Sequence, residues 1–402
     1  MASMAGMASR VYADHAATTP MLPAAREAWL AASEQVGNPS SLHASGRHAR
    51  RLVEESRERI AGALHVRPSA VVFTAGGTES DNLAVKGLYW ARHRATGARR
   101  ILLSAIEHHA VLDPVQWLVD EQGAQHAWLP VDRLGRVQLD AVAEELARGG
   151  AALCTVMWAN NEVGTVQPVA EIAALCRAAG VPFHTDAVQA LGHLPMDLTA
   201  LGADAVTISS HKVGGPFGAG ALIVDPTASL TPVLHGGGQE REVRSGTLDA
   251  PAVAAFAVAV EHAVAGQQER ARHLAELRQE LVAAIAQAVP DAVLNGDPGV
   301  GDTSRLPGNA HLSFPGCEGD LLLMLLDAAG VDCSTGSACT AGIPEPSHVL
   351  LAMGVDTATA RSSLRFSLGE ASTRDDVETI ASALPAAVDR AKRAGSPLLR
   401  KP

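Results

Sequence analysis

The stretch AVTISSHK, residues 205–212, indicates the fold of this chain more clearly than any other segment. AVTIS is a short apolar run typical of a buried strand, and the polar residues that follow it end in Lys212. The chain has 32 lysine and arginine residues, of which four are lysine. Because arginine stays protonated in proteins, a rare lysine at a strand end indicates that an amine is needed there, and not only a charge.

A carboxylate stands at the end of a neighbouring strand-like run. Asp186 follows the run VPFHT, residues 181–185. An amine and a carboxylate at adjacent strand ends suit a site for pyridoxal 5'-phosphate (PLP): the amine can bond the cofactor aldehyde, and the carboxylate can hold the pyridinium nitrogen. The alternative is a surface lysine after a strand and an aspartate that begins a helix.

Similar runs alternate with helical patterns from residue 50 to residue 225. This alternation predicts βαβ units and a mostly parallel sheet, and active sites in such sheets lie at the carboxyl ends of the strands. The predicted strands are 70–74, 101–104, 125–130, 151–158, 181–185, 205–209 and 220–224, and the predicted helices include 80–93, 111–121, 140–148 and 169–179.

The second half of the chain predicts a smaller domain. An Ala-rich helical stretch from 250 to 288 breaks at Gly266, and after Pro290 the pattern changes to an α+β order of strand, strand, helix, cysteine loop, helix, strand and helix. We therefore expect an α/β protein with three parts. These are a disordered lead at 1–10, a large domain at 11–262 whose first residues can pack with the small domain, and a small C-terminal domain at 263–402.

Charge and cysteine content exclude several classes of function. A net charge of −11 and a pI near 5.8, without a basic run, argue against nucleic acid or an anionic membrane as a partner. No window approaches the roughly eighteen consecutive apolar residues of a membrane-spanning helix. Five cysteines spread over 402 residues indicate a reducing compartment and a cytoplasmic protein, not a disulfide scaffold.

The turn TAGGTES, residues 74–80, links a strand-like run to a helix. Glycines let a backbone approach an anion, so Gly77 and Thr78 at the helix start can offer N–H and hydroxyl donors to a phosphate. Such a turn can also serve only to cap the helix. It has neither the dinucleotide-binding spacing nor that of a P-loop.

Three further polar side chains follow predicted strand ends. His108 can stack on a flat ring or shuttle a proton, although a histidine in such a position is often structural. Asn161 is either part of a turn or an amide that orients a substrate carboxylate or the phenolic oxygen of the cofactor. Gln189 lies one helical turn beyond Asp186 and can reach the same oxygen.

Two regions suit anions. The loop 236–247 combines three consecutive glycines with two arginines, which is typical of an anion-binding loop or a subunit contact but also of an ordinary loop. Arg365 lies between apolar neighbours in the strand-like run SLRFSL, residues 363–368, where a buried guanidinium needs an anion. A substrate carboxylate can supply that anion through a two-pronged contact, and an internal Asp or Glu can do so equally.

Cys339 lies among small and polar residues in the segment CSTGSACTAG, residues 333–342. We expect an accessible thiol on a mobile loop, which can act as a nucleophile and carry its product away. Cys333 is nearer to the apolar run and is expected to be structural. An incidental surface thiol at Cys339 and a Cys333–Cys339 redox pair are the alternatives.

In chain order these motifs resemble those of the cysteine desulfurases, PLP enzymes of fold type I in the class V aminotransferase group. The similarity extends over almost the whole chain, and SACT is similar to the iron–sulfur-assembly branch, group I. Ser210 stands where many members have Gly, and Gly215 where a bulkier residue is common. The matching segments are DHAATTP at 14–20, NPSSLH at 38–43, GTES at 77–80, EH at 107–108, NNEVG at 160–164, DAVQ at 186–189, SHK at 210–212, the loop 236–247, SACT at 337–340 and RFSLG at 365–369.

The resemblance implies a role for each candidate residue. Lys212 would bond the cofactor aldehyde and then move the Cα proton of the substrate, Asp186 would keep the pyridinium nitrogen protonated, and His108 would stack over the ring. Cys339 would attack the substrate sulfur to give an enzyme persulfide and alanine, and Arg365 would hold the substrate carboxylate. Contacts to the cofactor or substrate are implied for Asn161 and Gln189, and contacts to the phosphate for Gly77, Thr78, Ser209, Ser210, His211 and, from the other subunit of a homodimer, Thr247.

The same resemblance implies L-cysteine as substrate and an iron–sulfur scaffold or another sulfur acceptor as partner, with tRNA thiolation as a further destination. No resident metal is expected, and Cys339 is at most a transient cluster ligand. A selenocysteine lyase or another PLP enzyme of the same fold is the near alternative, although a transaminase would have no use for the loop thiol. A thiol-relay or binding protein without PLP would leave Lys212 and Asp186 unexplained.

Overall fold

The computed structural model describes residues 10–299, 303–336 and 346–395. Short 3-10 turns lie at Pro68–Ala70 and Ser210–Lys212. The strands are β1 (Val11–Tyr12), β2 (Val71–Thr74), β3 (Arg100–Ser104), β4 (Gln125–Leu129), β5 (Ala151–Thr155), β6 (Phe183–Asp186), β7 (Ala205–Ser209), β8 (Gly220–Val224), β9 (Val293–Leu294), β10 (Asn309–Ser313), β11 (Val331–Asp332) and β12 (Ser363–Ser367). The helices are α1 (Pro23–Ser33), α2 (Ala44–Ala63), α3 (Gly77–Thr96), α4 (His109–Gln122), α5 (Leu139–Ala147), α6 (Val169–Ala179), α7 (Leu198–Leu201), α8 (Ala250–Ala265), α9 (Gln267–Ala288), α10 (Gly319–Ala328), α11 (His348–Ala352), α12 (Thr357–Arg361) and α13 (Arg374–Gly395).

Seven strands form the main sheet in the order β2-β8-β7-β6-β5-β3-β4. The pairings are parallel except those of β8, which runs antiparallel to both β2 and β7. Strands β5 and β7 are buried at every residue, as expected for strands covered by helices on both faces. The α/β fold with a mostly parallel sheet is therefore confirmed.

Successive residues of these strands contribute to two different apolar layers, because side chains alternate across a strand. Val71 and Phe73 of β2 pack into the layer that α2, α6 and α8 cover, whereas Val72 packs into the layer that α3 and α4 cover. Each such burial is worth about 1.5–3 kcal/mol relative to an exposed side chain. The two layers place the sheet between helices on both faces, and polar turns follow the strands at its carboxyl edge.

A second apolar core is built from α9, α10 and α13 around the antiparallel sheet β12-β10-β9. Leu274 of α9 belongs to this core, whereas Val253 of α8 belongs to the core of the main sheet. The change of core thus falls at Gly266 between the two helices, while the domain boundary at residues 262 and 263 stays a prediction. None of the described helices is by itself long and apolar enough to span a bilayer. The pair α8 and α9 reaches that length and apolarity only when the two helices are counted together, and they are bent by 71° relative to each other.

The first described strand joins the second core and is not part of the main sheet. Val11 pairs with Val331 and Tyr12 with Asp332, so β1 and β11 form a two-stranded parallel sheet. Sequence analysis did not predict this pairing, because two-residue strands are too short to show a periodicity. It brings Asp14, which forms a bridge to Ser367 of β12, to the edge where the main sheet ends.

Candidate active site

A cavity of about 380 Å³ opens at the carboxyl edge of the main sheet. Its walls come from the turns after the parallel strands, from the residues after β1, and from β12 of the second core. Asp81, Met157, Ser334 and Gly336 contribute to the lining. The sequence-predicted site residues that line it are Gly77, Thr78, His108, Asn161, Asp186, Gln189, Ser209, His211, Lys212 and Arg365.

Lys212 is held at the end of the 3-10 turn that follows β7. Its Nζ donates hydrogen bonds to the carbonyl oxygens of Ala16, at 2.7 Å, and Ala17, at 2.8 Å. Burial, and next the positive charge of Arg365, lower the pKa of Lys212 to about 8. Near neutral pH a useful fraction of this amine is therefore uncharged and able to act as a nucleophile or a base.

Asp186 ends β6 and is almost completely buried. Its Oδ1 accepts a hydrogen bond from the Val188 N–H at 2.8 Å. Burial raises the pKa of Asp186 to about 6, against the opposing effects of this hydrogen bond and of the Lys212 charge. Gln189 Nε2 donates to the Ala16 carbonyl at 2.9 Å, so Gln189 and Lys212 are anchored to the same oxygen.

His108 occupies the N-cap position of α4. Its Nδ1 accepts a hydrogen bond from the Ala110 N–H at 3.1 Å, which leaves the ring proton of the neutral imidazole on Nε2. Burial, and next the charge of Lys212, lower the pKa of His108 to about 4. The side chain is thus a neutral flat ring in the cavity wall, with one N–H to offer. In the described ranges, no group of three or more His, Cys, Asp or Glu side chains could hold a metal ion.

The start of α3 forms a cradle for an anion. The N-cap residue Gly76 supplies no side-chain acceptor, so the N–H groups of the first turn have no side-chain cap, and Gly77 and Thr78 of this turn line the cavity. Ser209 Oγ is buried, and no residue that the structure describes is its hydrogen-bond partner. A Cβ on Gly77 would lie 3.6 Å from the Cβ of Ser209, which shows how closely the two backbones approach. His211 Nδ1 lies 3.2 Å from Thr18 Oγ1 at the same end of the cavity.

Arg365 already has an internal anion. Its Nη2 donates to Asp14 Oδ1 at 2.7 Å, and its Nη1 donates to the Asn161 carbonyl at 3.0 Å. The internal ion pair that the sequence left open is therefore present. No acceptor in the described ranges meets the buried Arg365 Nε, so the guanidinium retains a donor for a further acceptor.

Ser210 differs from its sequence prediction, because its side chain is not part of the cavity wall. A Cβ on Gly215 would lie only 2.1 Å from Ser210 Oγ, so the hydroxyl occupies the space that a side chain at 215 would need. The two departures from the family pattern, Ser210 and Gly215, thus compensate each other. A phosphate contact through the Ser210 side chain is not supported by this placement.

We expect Gly215→Ala to lower the free energy of unfolding by about 1–3 kcal/mol, the usual cost of overpacking a buried site. Adding Ser210→Gly should restore most of that loss, since the other close neighbours of the new methyl, the Ser210 carbonyl oxygen and Ala259 Cβ, are both 3.2 Å away. Urea unfolding of the two single variants and the double variant measures the coupling. Additive losses, without recovery in the double variant, would contradict the compensation.

One predicted residue lies elsewhere, and another is not described by the structure. Thr247 lines a second cavity together with Asn38, Ser40 and Gln239, and it does not reach the first one within this chain. Cys339 lies outside the described residues. Gly336, the last described residue before it, is in the wall of the first cavity.

Asp81 and Asp14 were not predicted from the sequence as site residues. Asp81 is buried in the cavity wall, and Asp14 holds Arg365. A signal for Asp81 was present: it lies three residues after Thr78, and positions three apart share one face of a helix. The sequence signal for Asp14 was limited to its position in the segment DHAATTP, residues 14–20.

Comparison with known proteins agrees with this geometry. The family model "Aminotransferase class-V" matches residues 11–380. The chain is 54% identical over 385 residues to the IscS-like cysteine desulfurase of Mycobacterium tuberculosis, covering 95% of this chain and 97% of that protein. It is 40% identical over 372 residues to the cysteine desulfurase IscS of Dictyoglomus turgidum, covering 92% of each. Among solved structures it is similar to a NifS-like protein (TM-score 0.87, 34% identity, 95% of this chain and 100% of that one) and to SspA in complex with cysteine (TM-score 0.77, 33% identity, 89% and 98%).

Proposed function

Since this chain belongs to the class-V aminotransferase family and is a PLP-dependent cysteine desulfurase, we propose that it moves the sulfur of L-cysteine onto the thiol of Cys339 and releases L-alanine. One observation carries this proposal. The Lys212 amine, the Asp186 carboxyl and the Arg365 guanidinium face a single cavity, and Gly336, which leads into the cysteine segment, forms part of its wall.

The residues present fit the cofactor. The buried Asp186 carboxyl suits a protonated ring nitrogen, and the Lys212 amine, with its lowered pKa, suits the aldehyde. The unpartnered Ser209 hydroxyl and the uncapped start of α3 at Gly77 suit the phosphate. When bound, PLP supplies an electron sink that labilises the substituents of the substrate's α-carbon and, through it, the bond between the β-carbon and sulfur.

Two side chains of this protein can then accept or donate a proton in the site. Lys212 Nζ can accept the α-proton of the substrate and return it, because its pKa of about 8 lies close to a working pH. His108, neutral and protonated on Nε2, offers a flat face and a single donor without adding a charge to the site. Burial of both groups keeps bulk water from competing for those protons.

Sulfur transfer needs no external oxidant. The Cys339 thiolate forms a sulfur–sulfur bond with the substrate while the sulfur–carbon bond breaks and its electron pair stays with the carbon. That carbon takes up a proton and becomes the methyl group of alanine. The transferred sulfur is oxidised as the carbon is reduced, so electrons balance within the reaction.

Arg365 would hold the substrate carboxylate. Its Nε–H, which has no acceptor among the described residues, can donate to a carboxylate oxygen of the substrate, while Nη2 keeps its hydrogen bond to Asp14 and so fixes the guanidinium plane. Asn161 lies in the wall beside it, with its carbonyl on Nη1. An L-amino acid would thus be oriented by its carboxylate, with its side chain free to point towards Gly336.

The proposal also includes the assembly of the protein, the destination of the sulfur and the location of the protein in the cell. Thr247 sits in a second cavity with Asn38, away from its own site, which supports a homodimer in which each Thr247 reaches the phosphate of the other subunit. The names of the relatives support delivery of sulfur to iron–sulfur cluster assembly through an acceptor protein. tRNA thiolation is a further destination in this proposal. Four described cysteines are free thiols, which supports a cytoplasmic location.

The test measures cofactor binding and the desulfurase reaction separately. We expect the purified protein to show a visible absorption band that borohydride abolishes, and to form alanine in proportion to sulfide when L-cysteine and a thiol reductant are supplied. L-selenocysteine is the comparison substrate. Alanine release from L-selenocysteine alone would contradict the proposal in favour of a lyase, and a colourless protein that cannot be reconstituted with PLP would contradict it altogether.

A further inference from the structure

The buried carboxyl group of Glu162 lies beside both ends of the stretch 337–345, which contains Cys339 and is outside the described residues. After this stretch, the hydroxyl group of Ser347 donates a hydrogen bond to Glu162 Oε2. Before it, Gly336 comes so close that a Cβ on this glycine would be 3.5 Å from the same oxygen. One carboxyl oxygen therefore meets the chain on either side of Cys339.

The hydroxyl group of Ser347 uses both its donor and its acceptor capacity. Ser347 is the N-cap residue of α11, and its Oγ accepts a hydrogen bond from the Leu350 N–H at 3.2 Å. Its hydrogen remains for Glu162, whose carboxyl oxygen accepts it. Both side chains are buried, so the loss of either one would leave the other without a hydrogen bond that water cannot easily replace.

The start of α11 is attached at a second point. His348 Nε2 lies 2.9 Å from the carbonyl oxygen of Glu107, and it must carry the hydrogen because a carbonyl oxygen only accepts. Glu107 directly precedes His108, and Glu162 directly follows Asn161. His108 and Asn161 both line the first cavity. The start of α11 is therefore fixed to the two turns that carry these site residues.

The turn that carries Glu162 is itself held in place. Asn160 Oδ1 accepts a hydrogen bond from the Glu162 N–H at 2.9 Å, and Asn160 Nδ2 donates to the Ile106 carbonyl at 3.0 Å. Between these two residues, the Asn161 carbonyl accepts from Arg365 Nη1. Adjacent residues of one turn thus contact the arginine proposed for the substrate carboxylate and the start of α11.

The geometry of the chain makes these ends important for sulfur transfer. Cys339 is three residues after Gly336, and an extended chain spans at most about 3.3–3.6 Å per residue. The Cα of Cys339 can therefore lie no more than about 11 Å from that of Gly336, which is in the wall of the first cavity. The placement of the two ends limits where the thiol can meet the substrate sulfur.

We propose that Glu162 is a positioning residue for sulfur transfer. Its carboxyl group holds the start of α11 through Ser347 and lies against Gly336, and it thereby fixes the two ends from which Cys339 must reach the substrate. The Glu162 side chain is not part of the cavity wall, so it acts through these ends and not on the reacting atoms. The inference rests on the role of Cys339 in the proposed function.

Glu162→Ala is expected to lower the single-turnover rate of persulfide formation in the holoenzyme by about 10²-fold, because a displacement of about 1 Å at a reacting group can cost that much. The change in the visible spectrum on adding L-cysteine reports substrate binding and should keep its wild-type rate. Glu162→Gln retains an oxygen that can accept from Ser347, so it should stay within about threefold of wild type. A general loss of structure would instead slow both signals and would not be rescued by glutamine.

Two further variants complete this measurement. Ser347→Ala should slow sulfur transfer as Glu162→Ala does, and the double variant should be no slower than the slower single one, because both remove the same contact. Asp356 caps the next helix, α12, through the N–H groups of Ala358 and Thr359, so Asp356→Ala loses a helix cap without removing a partner of Glu162 and should match wild type. Wild-type transfer in Glu162→Ala, equal losses in Glu162→Gln, or multiplied losses in the double variant would overturn the proposal.

Proteolysis examines the two ends without turnover. Holoenzyme is treated with proteinase K, and fragment masses identify cuts between Gly336 and Ser347. Glu162→Ala and Ser347→Ala should be cut there at least about tenfold faster than wild type, and Glu162→Gln and Asp356→Ala at the wild-type rate. Ser347→Ala alone decides the matter if Glu162→Ala does not fold.

Equal cleavage of all variants would overturn the proposal. A wild-type protein that forms no alanine from L-cysteine would count against the proposed function and this inference together. An active wild type whose variants transfer sulfur and are cleaved as it is would count against Glu162 alone, so the two failures are distinguishable.

Discussion

Cys339→Ser is expected to lower persulfide and alanine formation from L-cysteine by at least about 10³-fold while the protein still binds cofactor and substrate. A hydroxyl is far less nucleophilic towards sulfur than a thiolate, and no step before sulfur transfer requires the thiol. The measurement combines cyanide-labile sulfur on the protein with alanine released in a single turnover. If L-cysteine left the visible spectrum of this variant unchanged, the defect would lie in substrate binding and not, as expected, in sulfur transfer.

Cys333 provides the matched control. It is buried, and burial raises the pKa of its thiol to about 12, so it holds almost no thiolate near neutral pH. Cys333→Ala should therefore retain most of the wild-type turnover. Full activity in Cys339→Ser, or its loss in Cys333→Ala with the fold intact, would show that the nucleophile is assigned to the wrong cysteine.

Lys212→Ala is expected to lower alanine formation by about 10⁴-fold, since one change removes both the attachment point of the cofactor and the base that moves the α-proton. Lys212→Arg separates charge from chemistry. Arginine keeps the positive charge between Asp186 and Arg365 but cannot be deprotonated, so it should be as inactive as alanine. Rapid-quench assays of alanine, with the borohydride-sensitive absorption as a second readout, measure both variants.

Lys86 is the control for this experiment. Its amine lies over the Trp117 ring, 4.4 Å from the centroid, at the helical surface formed by α3 and α4 and away from the cavity. Lys86→Ala should keep wild-type turnover. If Lys212→Arg retained more than about a tenth of wild-type activity, the site would need a charge and not an amine, and the roles assigned to Lys212 would be wrong.

The sequence predicted the polar edge of the sheet from local patterns. Lys212, Asp186 and His108 each follow a short apolar run, and parallel strands bring such run ends to one edge. Gly77 and Thr78 were predictable for the same reason, because a glycine turn after a strand and before a helix places N–H groups at that edge. These predictions needed only the order of strands and helices along the chain.

Contacts between distant segments were not predictable in this way. Arg365 and Asp14 are 351 residues apart, and their pairing depends on β1 joining β11 and on Asp14 meeting the end of β12. In the sequence, Ser210 and Gly215 look like two unrelated departures from the family pattern. In the structure, the Ser210 hydroxyl fills the space that Gly215 leaves by having no side chain.

The sequence by itself determined which chemical groups this protein brings to its site and the type of sheet that carries them, because residue type and hydrophobic period are local properties of the chain. Only the tertiary structure decided which groups are partners: that Arg365 meets Asp14 and that Ser210 turns from the cavity. Hydrogen bonds and charge effects act over a few ångströms, and the packing of segments far apart in the chain sets which atoms come that close.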